Sequence, residues 1–74
     1  MNINEMSMEM KRTKIREGLP LLIPRNRSIM SFRWGLDDNQ NKTLRETGNY
    51  FKLTLERIRI IERRCLIKMG LIIF

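Results

Sequence analysis

The segment GNYFKLTLERIRIIERR, residues 48–64, holds the side chains of this sequence that are best suited to binding chemistry. It contains one lysine and four arginines among large apolar residues. An arginine carries a permanent positive charge and a planar fork of N–H donors, which suits it to anionic groups such as phosphates. A helix with such residues on one face and apolar residues on another can pack on a core and still present cations to a polyanion.

The composition of the whole chain supports the same interpretation. Fifteen Lys and Arg stand against eight Asp and Glu, which gives a formal net charge of +7 and a sequence pI near 10.6. This balance favours a polyanionic partner, with nucleic acid first and an anionic membrane surface second. A basic surface that binds nothing is the alternative that charge alone leaves open.

The sequence lacks the residue combinations that enzymatic catalysis needs. The sequence has no histidine and one cysteine, Cys65, so a zinc site, a Cys–His nucleophile and an internal disulfide have no partners to use. No glycine-rich phosphate loop is present, and the pair Asp37–Asp38 falls in a polar loop. A chain of 74 residues is also near the size at which one core is only marginally stable. We therefore predict no enzyme activity, no metal and no cofactor, and we assign Cys65 to the core.

The N-terminal stretch MNINEMSMEMKRTK carries Glu5 and Glu9 among its methionines, unlike the apolar centre of a secretory signal. No apolar run approaches the length needed to cross a bilayer. With an unpaired cysteine as well, we expect a cytoplasmic chain without a membrane partner. A basic amphipathic helix on an anionic membrane, with LIIF at the tail, is a weaker alternative.

The N-terminal half predicts one clear helix and one ambiguous segment. NEMSMEMKRTKIREG, residues 4–18, places Met6, Met10 and Ile15 near helical spacing and ends at Gly18, a residue common just past a helix C-terminus. LPLLIP forms a connection, with Pro24 near the start of the next element. In RNRSIMSFRWGL, which follows, the apolar residues alternate as in a strand but would suit a helix equally well.

The C-terminal half carries stronger signals. After the polar loop DDNQNK, the sequence TLRE has the spacing of a capping box, in which Thr43 and Glu46 satisfy free backbone donors of a first helical turn. A short helix is predicted over about 44–51, then a turn at 52–53 and a longer helix over about 54–69.

These two helices have the spacing of a helix-turn-helix. Gly48 supplies the small residue that a steep crossing requires, and Thr54 would cap the second helix, whose first turns would enter the major groove of duplex DNA. The residues placed to lock the pair are Phe51, Leu53, Ile58 and Ile61. The predicted core stripe of the longer helix comprises Leu55, Ile58, Ile61, Cys65, Leu66 and Met69.

The stretch RWGLDDNQNKTLRETGNYFKLTLERIRIIERRCLIKM resembles region 4 of the sigma-70 family of bacterial RNA polymerase sigma factors. The family pattern has an FGLDD corner, a TLEEVG first helix, a phenylalanine before a VT turn and ERIRQIE in the second helix. Here these elements read WGLDD, TLRETG, YFKLT and ERIRIIE, in the same order and spacing. The resemblance covers about residues 29–69.

The resemblance implies an all-α fold, a small domain of three to four helices with a C-terminal helix-turn-helix, and it favours a helix over a strand for 25–34. The whole chain, 1–74, would then be one region-4-like domain. It would have an N-terminal helical part over about 3–34, the helix-turn-helix over about 43–69 and an apolar tail at 70–74.

The resemblance also implies partners. Region 4 of the family binds the promoter −35 element in the major groove and docks on the flap of the polymerase β subunit; an activator or a second sigma subunit is a further candidate. Glu56 and Arg59 match groove-facing residues of the family, and Thr54 and Arg57 match groove- or phosphate-facing ones. The predicted DNA-binding set comprises Thr43, Lys52, Thr54, Leu55, Glu56, Arg57, Arg59, Ile60 and Arg63.

Several residues depart from the family pattern, among them Leu55, Ile60, Lys52 and Ile67. Leu55 replaces a base-reading arginine, and Ile60 a glutamine, of primary sigma factors. A leucine can contact a thymine methyl group, but it cannot make the bidentate contact to guanine that contributes about 1–3 kcal/mol of discrimination. We therefore expect the usual −35 sequence to be read poorly. Lys52 replaces a turn glycine, at a cost of about 1 kcal/mol if its φ is positive.

These departures support an alternative function, a polymerase- or sigma-binding regulatory fragment that does not read DNA specifically. The resemblance includes no counterpart of the regions that read the −10 element. We therefore expect half of a split sigma factor, a small phage or plasmid regulator, or a fragment.

Overall fold

The computed structural model describes residues 2–73, and within them the chain folds into four α-helices without a strand. The predicted all-α class, with a helix-turn-helix made by the last two helices, is confirmed. Single 3₁₀ turns lie at Ile3–Glu5 and Leu19–Leu21. The helices are α1 (Met8–Gly18), α2 (Pro24–Arg33), α3 (Leu44–Phe51) and α4 (Leu55–Lys68).

Helix α1 begins later than the apolar pattern predicts. Ser7 has an extended backbone, and its Oγ accepts the Met10 N–H at 3.1 Å, so it caps a helix whose first residue is Met8. Met10, which the pattern places on one face with the buried Ile15, is exposed. The apolar period includes a methionine that precedes the cap, which is why it misplaces both the start and the buried face.

Gly18 ends α1, but for another physical reason than the one that the sequence suggests. Its φ is −88°, so it does not adopt the left-handed conformation in which glycine terminates many helices. A β-carbon on Gly18 would lie 2.7 Å from Cγ of Met69. The glycine therefore allows the end of α1 to contact the residue that follows α4.

The ambiguous segment RNRSIMSFRWGL is helical over most of its length and forms α2. Pro24 is its first residue, where a missing N–H costs nothing, and Trp34 is its C-cap. Ile29 and Met30 are fully buried and Trp34 is 8% exposed. Met30 and Trp34 lie one helical turn apart, so residues that also fit a strand pattern share one face of the helix.

One apolar core lies between the helices. The buried cysteine belongs to it, as predicted, and burial raises the pKa of the Cys65 thiol. The core residues are Ile3, Ile15, Leu22, Ile29, Met30, Trp34, Leu36, Ile58, Ile61, Cys65, Leu66 and Leu71.

The two ends of the described chain meet at one edge of this core. The Ile3 N–H donates to the Leu71 carbonyl at 3.0 Å, and both side chains are buried. Ile72 is half-buried and Ile73 is exposed, while Phe74 of the predicted tail lies outside the described residues. The tail is thus in part a component of the fold.

The connection between α2 and α3, residues 34–43, folds back on itself. Gly35 has φ 61°, and a β-carbon there would lie 2.5 Å from the Gln40 nitrogen. Asp38 accepts hydrogen bonds from Lys42 Nζ at 2.6 Å and from the Gln40 N–H at 3.0 Å. These two bonds, the lysine's first, lower the pKa of Asp38.

Two arginines of α1 hold this connection from outside. Arg12 donates to the carbonyls of Trp34 and Asn39, each at 3.0 Å, and Arg16 donates to the carbonyl of Leu36 at 2.9 Å. Charged donors make stronger hydrogen bonds than neutral ones. The connection is therefore fixed by side chains that are distant from it in sequence.

Candidate nucleic-acid interface

The start of α3 carries the predicted capping box. Thr43 Oγ1 accepts the Glu46 N–H at 3.0 Å, and Glu46 Oε1 accepts the Thr43 N–H at 2.8 Å. The bond from the Thr43 N–H is the main reason that the pKa of Glu46 is lowered. Thr47 is fully buried and its hydroxyl donates to the Thr43 carbonyl at 2.9 Å. Local polar groups thus fix the position at which the helix-turn-helix begins.

Gly48 packs closely against the backbone of the turn that joins α3 to α4. A β-carbon on Gly48 would lie 2.6 Å from the carbonyl oxygen of Leu53. The Leu53 N–H donates to the Gly48 carbonyl at 2.8 Å, which closes the turn between the helices. Lys52 has φ 59° and ψ 43°, a left-handed conformation that favours glycine, so the expected strain of a lysine in this turn applies.

The N-terminus of α4 is capped and exposed. Thr54 Oγ1 accepts the Arg57 N–H at 3.0 Å, which confirms Thr54 as the cap. Thr54, Leu55, Glu56 and Arg57 are all exposed. In a helix-turn-helix, side chains of these first turns of the second helix are the ones that reach base edges and phosphates.

The inner face of α4 is mostly the predicted stripe. Ile58, Ile61, Cys65 and Leu66 are buried, and Met69 is half-buried. Leu55 is 37% exposed, so its assignment to the core is wrong. Helical side chains lean toward the helix N-terminus, and Leu55 is the first residue of α4, so its side chain extends beyond the packed part of the helix.

The outer face of α4 presents unpaired cations. Arg57, Arg63 and Arg64 are exposed, and their guanidinium groups make no hydrogen bond or ion pair with any residue from 2 to 73. Ile60 and Ile67 lie on the same outer face, half-buried, and line a shallow groove with Arg63 and Arg64. This face therefore combines free guanidinium groups with two apolar side chains.

Arg59 differs from these three arginines because it already has a partner. It donates to Glu56 through Nη2 at 2.5 Å and through Nε at 3.1 Å. The bond from Arg59 lowers the pKa of Glu56, and Glu56 raises the pKa of Arg59. Both side chains are more than half exposed, so water screens the pair and a competing ligand can replace either partner.

A second ion pair lies beneath α4. Arg33 Nε donates to Glu62 Oε1 at 3.0 Å, and both side chains are largely buried. Burial is the main cause of the raised pKa of Glu62, and Arg33 opposes the shift. The Trp34 indole N–H is near enough to favour the ionised carboxylate, yet it does not reach hydrogen-bonding geometry with Glu62. Because the folded state raises this pKa, the Glu62 contribution to stability decreases as the pH rises through it.

Sequence reasoning missed that much of the positive charge is structural. Four arginines donate to backbone carbonyls between 5 and 27 residues away along the chain. No sequence motif reports such bonds, and those of Arg12 and Arg16 depend on how distant segments pack. These arginines are Arg12, Arg16, Arg27 and Arg33.

All nine residues of the predicted DNA-binding set lie between the start of α3 and the middle of α4. Eight of them are exposed and Ile60 is half-buried. The structure thus places them on one helix-turn-helix, while their contacts with DNA stay a prediction. No helix within residues 2–73 has both the length and the apolar character needed to cross a bilayer.

Comparison with known proteins agrees with this geometry. A family model described as Sigma-70, region 4 matches residues 18–69, which extends the resemblance seen in the sequence toward the N-terminus. RNA polymerase sigma factor SigA of Microcystis aeruginosa and that of Synechocystis sp. are each 42% identical to the chain over 66 residues, which cover 89% of this chain and 16% of the relative. SigA of Nostoc sp. is 41% identical over 66 residues, with 89% and 17% covered. The chain spans about one sixth of the length of these relatives. It belongs to the sigma-70 region 4 family.

Proposed function

We propose that this domain binds promoter DNA through α4 and, together with the RNA polymerase core, acts in transcription initiation. Its target would be a −35-type element in the major groove, and its second contact the flap of the β subunit. The observation that carries the proposal is the set of three unpaired arginines beside a capped, exposed N-terminus of α4.

The arrangement suits DNA because the cations are separated from the residues that stabilise the fold. Arg12 and Arg16 are committed to backbone carbonyls, whereas Arg57 and Arg63 are not. Unpaired arginines on one helix can neutralise phosphates without disturbing the core. The close contact of Gly48 with the turn before α4 then fixes the direction in which α4 presents these arginines.

The partner proposal comes from the relatives, whose names identify them as RNA polymerase sigma factors. A region shared with such proteins would act as a non-catalytic module in the cytoplasm, bound to the polymerase core. An activator or a second sigma subunit would be a further partner of the same surface.

The test is the salt dependence of binding to duplex DNA. The wild-type affinity should fall linearly with salt on logarithmic axes, with a slope of about −0.9 for each phosphate neutralised. Arg57→Gln and Arg63→Gln should each reduce this slope by about 1. Lys14→Gln, which removes the same charge from an exposed position on α1, serves as the control and should leave the slope unchanged.

Two results would contradict the proposal. One is an affinity that stays flat between low and moderate salt. The other is an equal loss of slope in Lys14→Gln and Arg63→Gln, since that would mean that the whole basic surface binds and α4 has no special role.

A second function is favoured by a different observation. Leu55 and Ile60 cannot make hydrogen bonds to base edges, and Arg59 is paired with Glu56. These features suit a factor that binds the polymerase flap or a sigma subunit without reading DNA. A pull-down with the isolated β flap in the absence of DNA tests it. If duplex DNA is recovered but the flap is not, this second function is excluded.

A further inference from the structure

We propose that α4 recognises the 5-methyl group of thymine through Leu55 and Ile60, so that the domain prefers A·T pairs at the positions these residues face. This inference rests on the proposed binding of DNA through α4. It specifies the chemical group that is read and the residues that read it.

Leu55 is placed to make such a contact. It is the first residue of α4 and is 37% exposed, so its side chain is accessible to a ligand. First-turn residues of the second helix are those that meet base edges in a helix-turn-helix. An apolar side chain at this position has one matching group on the major-groove edge of a base pair, the thymine methyl.

Ile60 extends the apolar contact along the helix. At 100° per residue, Leu55 and Ile60 fall on either side of the Glu56–Arg59 pair on the surface of α4. Ile60 is half-buried and lies in the groove that Arg63, Arg64 and Ile67 also line. The polar pair is therefore flanked by an apolar side chain on each side.

The polar residues of this face are poorly placed to read guanine. Arg59 is already held by two hydrogen bonds to Glu56 and would have to exchange them for contacts to a base. Arg63 lies two turns beyond Leu55, where a guanidinium group can reach a phosphate. The apolar pair is then a source of base discrimination at the positions that it faces.

The experiment compares two double-stranded polymers that differ only in the methyl group. Affinity for poly(dA-dT) and for poly(dA-dU) is measured by fluorescence anisotropy at the same low salt concentration. The wild type should bind poly(dA-dT) at least about fourfold more tightly, the factor that burial of one methyl-sized group implies. In the Leu55→Ala/Ile60→Ala double variant this ratio should fall to about one.

Leu21→Ala is the matched control, because Leu21 is an exposed leucine outside the helix-turn-helix. It should keep the wild-type ratio. Circular dichroism of each variant confirms that the helices are intact before affinities are compared.

The possible failures separate two conclusions. Equal affinity of the wild type for both polymers would overturn the methyl-reading inference and leave DNA binding intact. A ratio that persists in the double variant would also overturn it, since the methyl group would then act through the shape of the duplex. Absence of binding to both polymers at low salt would overturn the proposed function itself, and this inference with it.

Discussion

The two connections that precede α3 and α4 achieve the same result by opposite means. The first spans residues 34–43 and is held by arginine side chains of α1, which donate to the carbonyls of Trp34, Leu36 and Asn39. The second spans residues 52–54 and is closed by the bond from Leu53 to Gly48 and by the Thr54 cap. A long connection depends on distant side chains, whereas a short one depends on the conformation of its own residues.

The difference separates the two uses of arginine in this chain. Around the first connection, Arg12 and Arg16 replace backbone partners that an irregular loop lacks. Around the second, the backbone partners are supplied locally, so Arg57, Arg63 and Arg64 of α4 are left for other contacts. Positive charge therefore stabilises one part of the fold and remains free to bind in the other.

The largest expected effect is at the short connection, in Gly48→Ala. The new β-carbon would meet the carbonyl oxygen of Leu53 at 2.6 Å, and a backbone group cannot move aside without opening the turn. We expect a loss of about 2–3 kcal/mol in the free energy of unfolding, measured in urea by circular dichroism.

Gly18→Ala is the matched control for this prediction. Its β-carbon would also be closer than 3 Å to a neighbour, but that neighbour is the flexible Met69 side chain. The variant should stay within about 1 kcal/mol of the wild type. If both glycines tolerated alanine equally, the contact of Gly48 with the Leu53 carbonyl would not be rigid.

The next largest effect tests the long connection, in Arg12→Gln. Its guanidinium group donates to two carbonyls and to Asn41 Oδ1 at 2.9 Å, and a glutamine cannot reproduce that set. The free energy of unfolding should fall by about 1–2 kcal/mol. The salt dependence of DNA binding, measured where the variant is fully folded, should not change.

Arg63→Gln should behave in the opposite way. It removes a side chain that has no partner among residues 2–73, so stability should stay within about 0.5 kcal/mol of the wild type. DNA affinity should fall instead. A destabilised Arg63→Gln protein, or an Arg12→Gln protein that loses its salt slope, would break the division between structural and binding arginines.

Features that depend on nearby residues could be predicted from the sequence, whereas those that depend on distant contacts could not. The capping box of Thr43 and Glu46, the close contact at Gly48 and the positive φ of Lys52 follow from residues within one or two turns of each other, and all three are present in the structure. The DNA-binding residues are predicted from this helix-turn-helix segment and from its resemblance to the family. They lie together on the helix-turn-helix, although their contacts with DNA stay untested.

What the sequence could not show depends on packing. The bonds of Arg12 link segments 22 to 29 residues apart, so a charge count cannot distinguish that arginine from Arg63. The exposure of Leu55 depends on where α4 starts relative to α3. A 3.6-residue period in the sequence carries no information about that position. The role of Gly18 depends on Met69, which is distant in sequence but lies against Gly18 in the fold.

A smaller effect is expected at the end of the long connection, in Thr43→Ala. Loss of the Oγ1 that accepts the Glu46 N–H should cost about 1 kcal/mol in urea unfolding, the usual value of an N-cap. The Thr43 backbone N–H donates to the Glu46 carboxylate and is the main reason that the pKa of Glu46 is lowered.

Because that pKa is lower in the folded state, ionised Glu46 stabilises the fold above its unfolded pKa of about 4.3. This contribution is lost as the pH falls through the lowered value. The stability difference between the wild type and Glu46→Gln should therefore be present at neutral pH and shrink in acid. A difference that is constant with pH would show that the carboxylate charge has no role in the cap.

The smallest effect is expected in Lys52→Gly, which tests the backbone strain of the short connection. Lys52 has φ 59°, and glycine adopts this conformation without the clash of a β-carbon. The variant should gain about 0.5 kcal/mol in urea unfolding, because the entropy of the unfolded glycine offsets part of the relief. Asn39→Gly, at φ 58° in the long connection, should gain less, since asparagine tolerates this conformation better than lysine. Equal gains at both positions would mean that the turn between α3 and α4 stores no particular strain in its lysine.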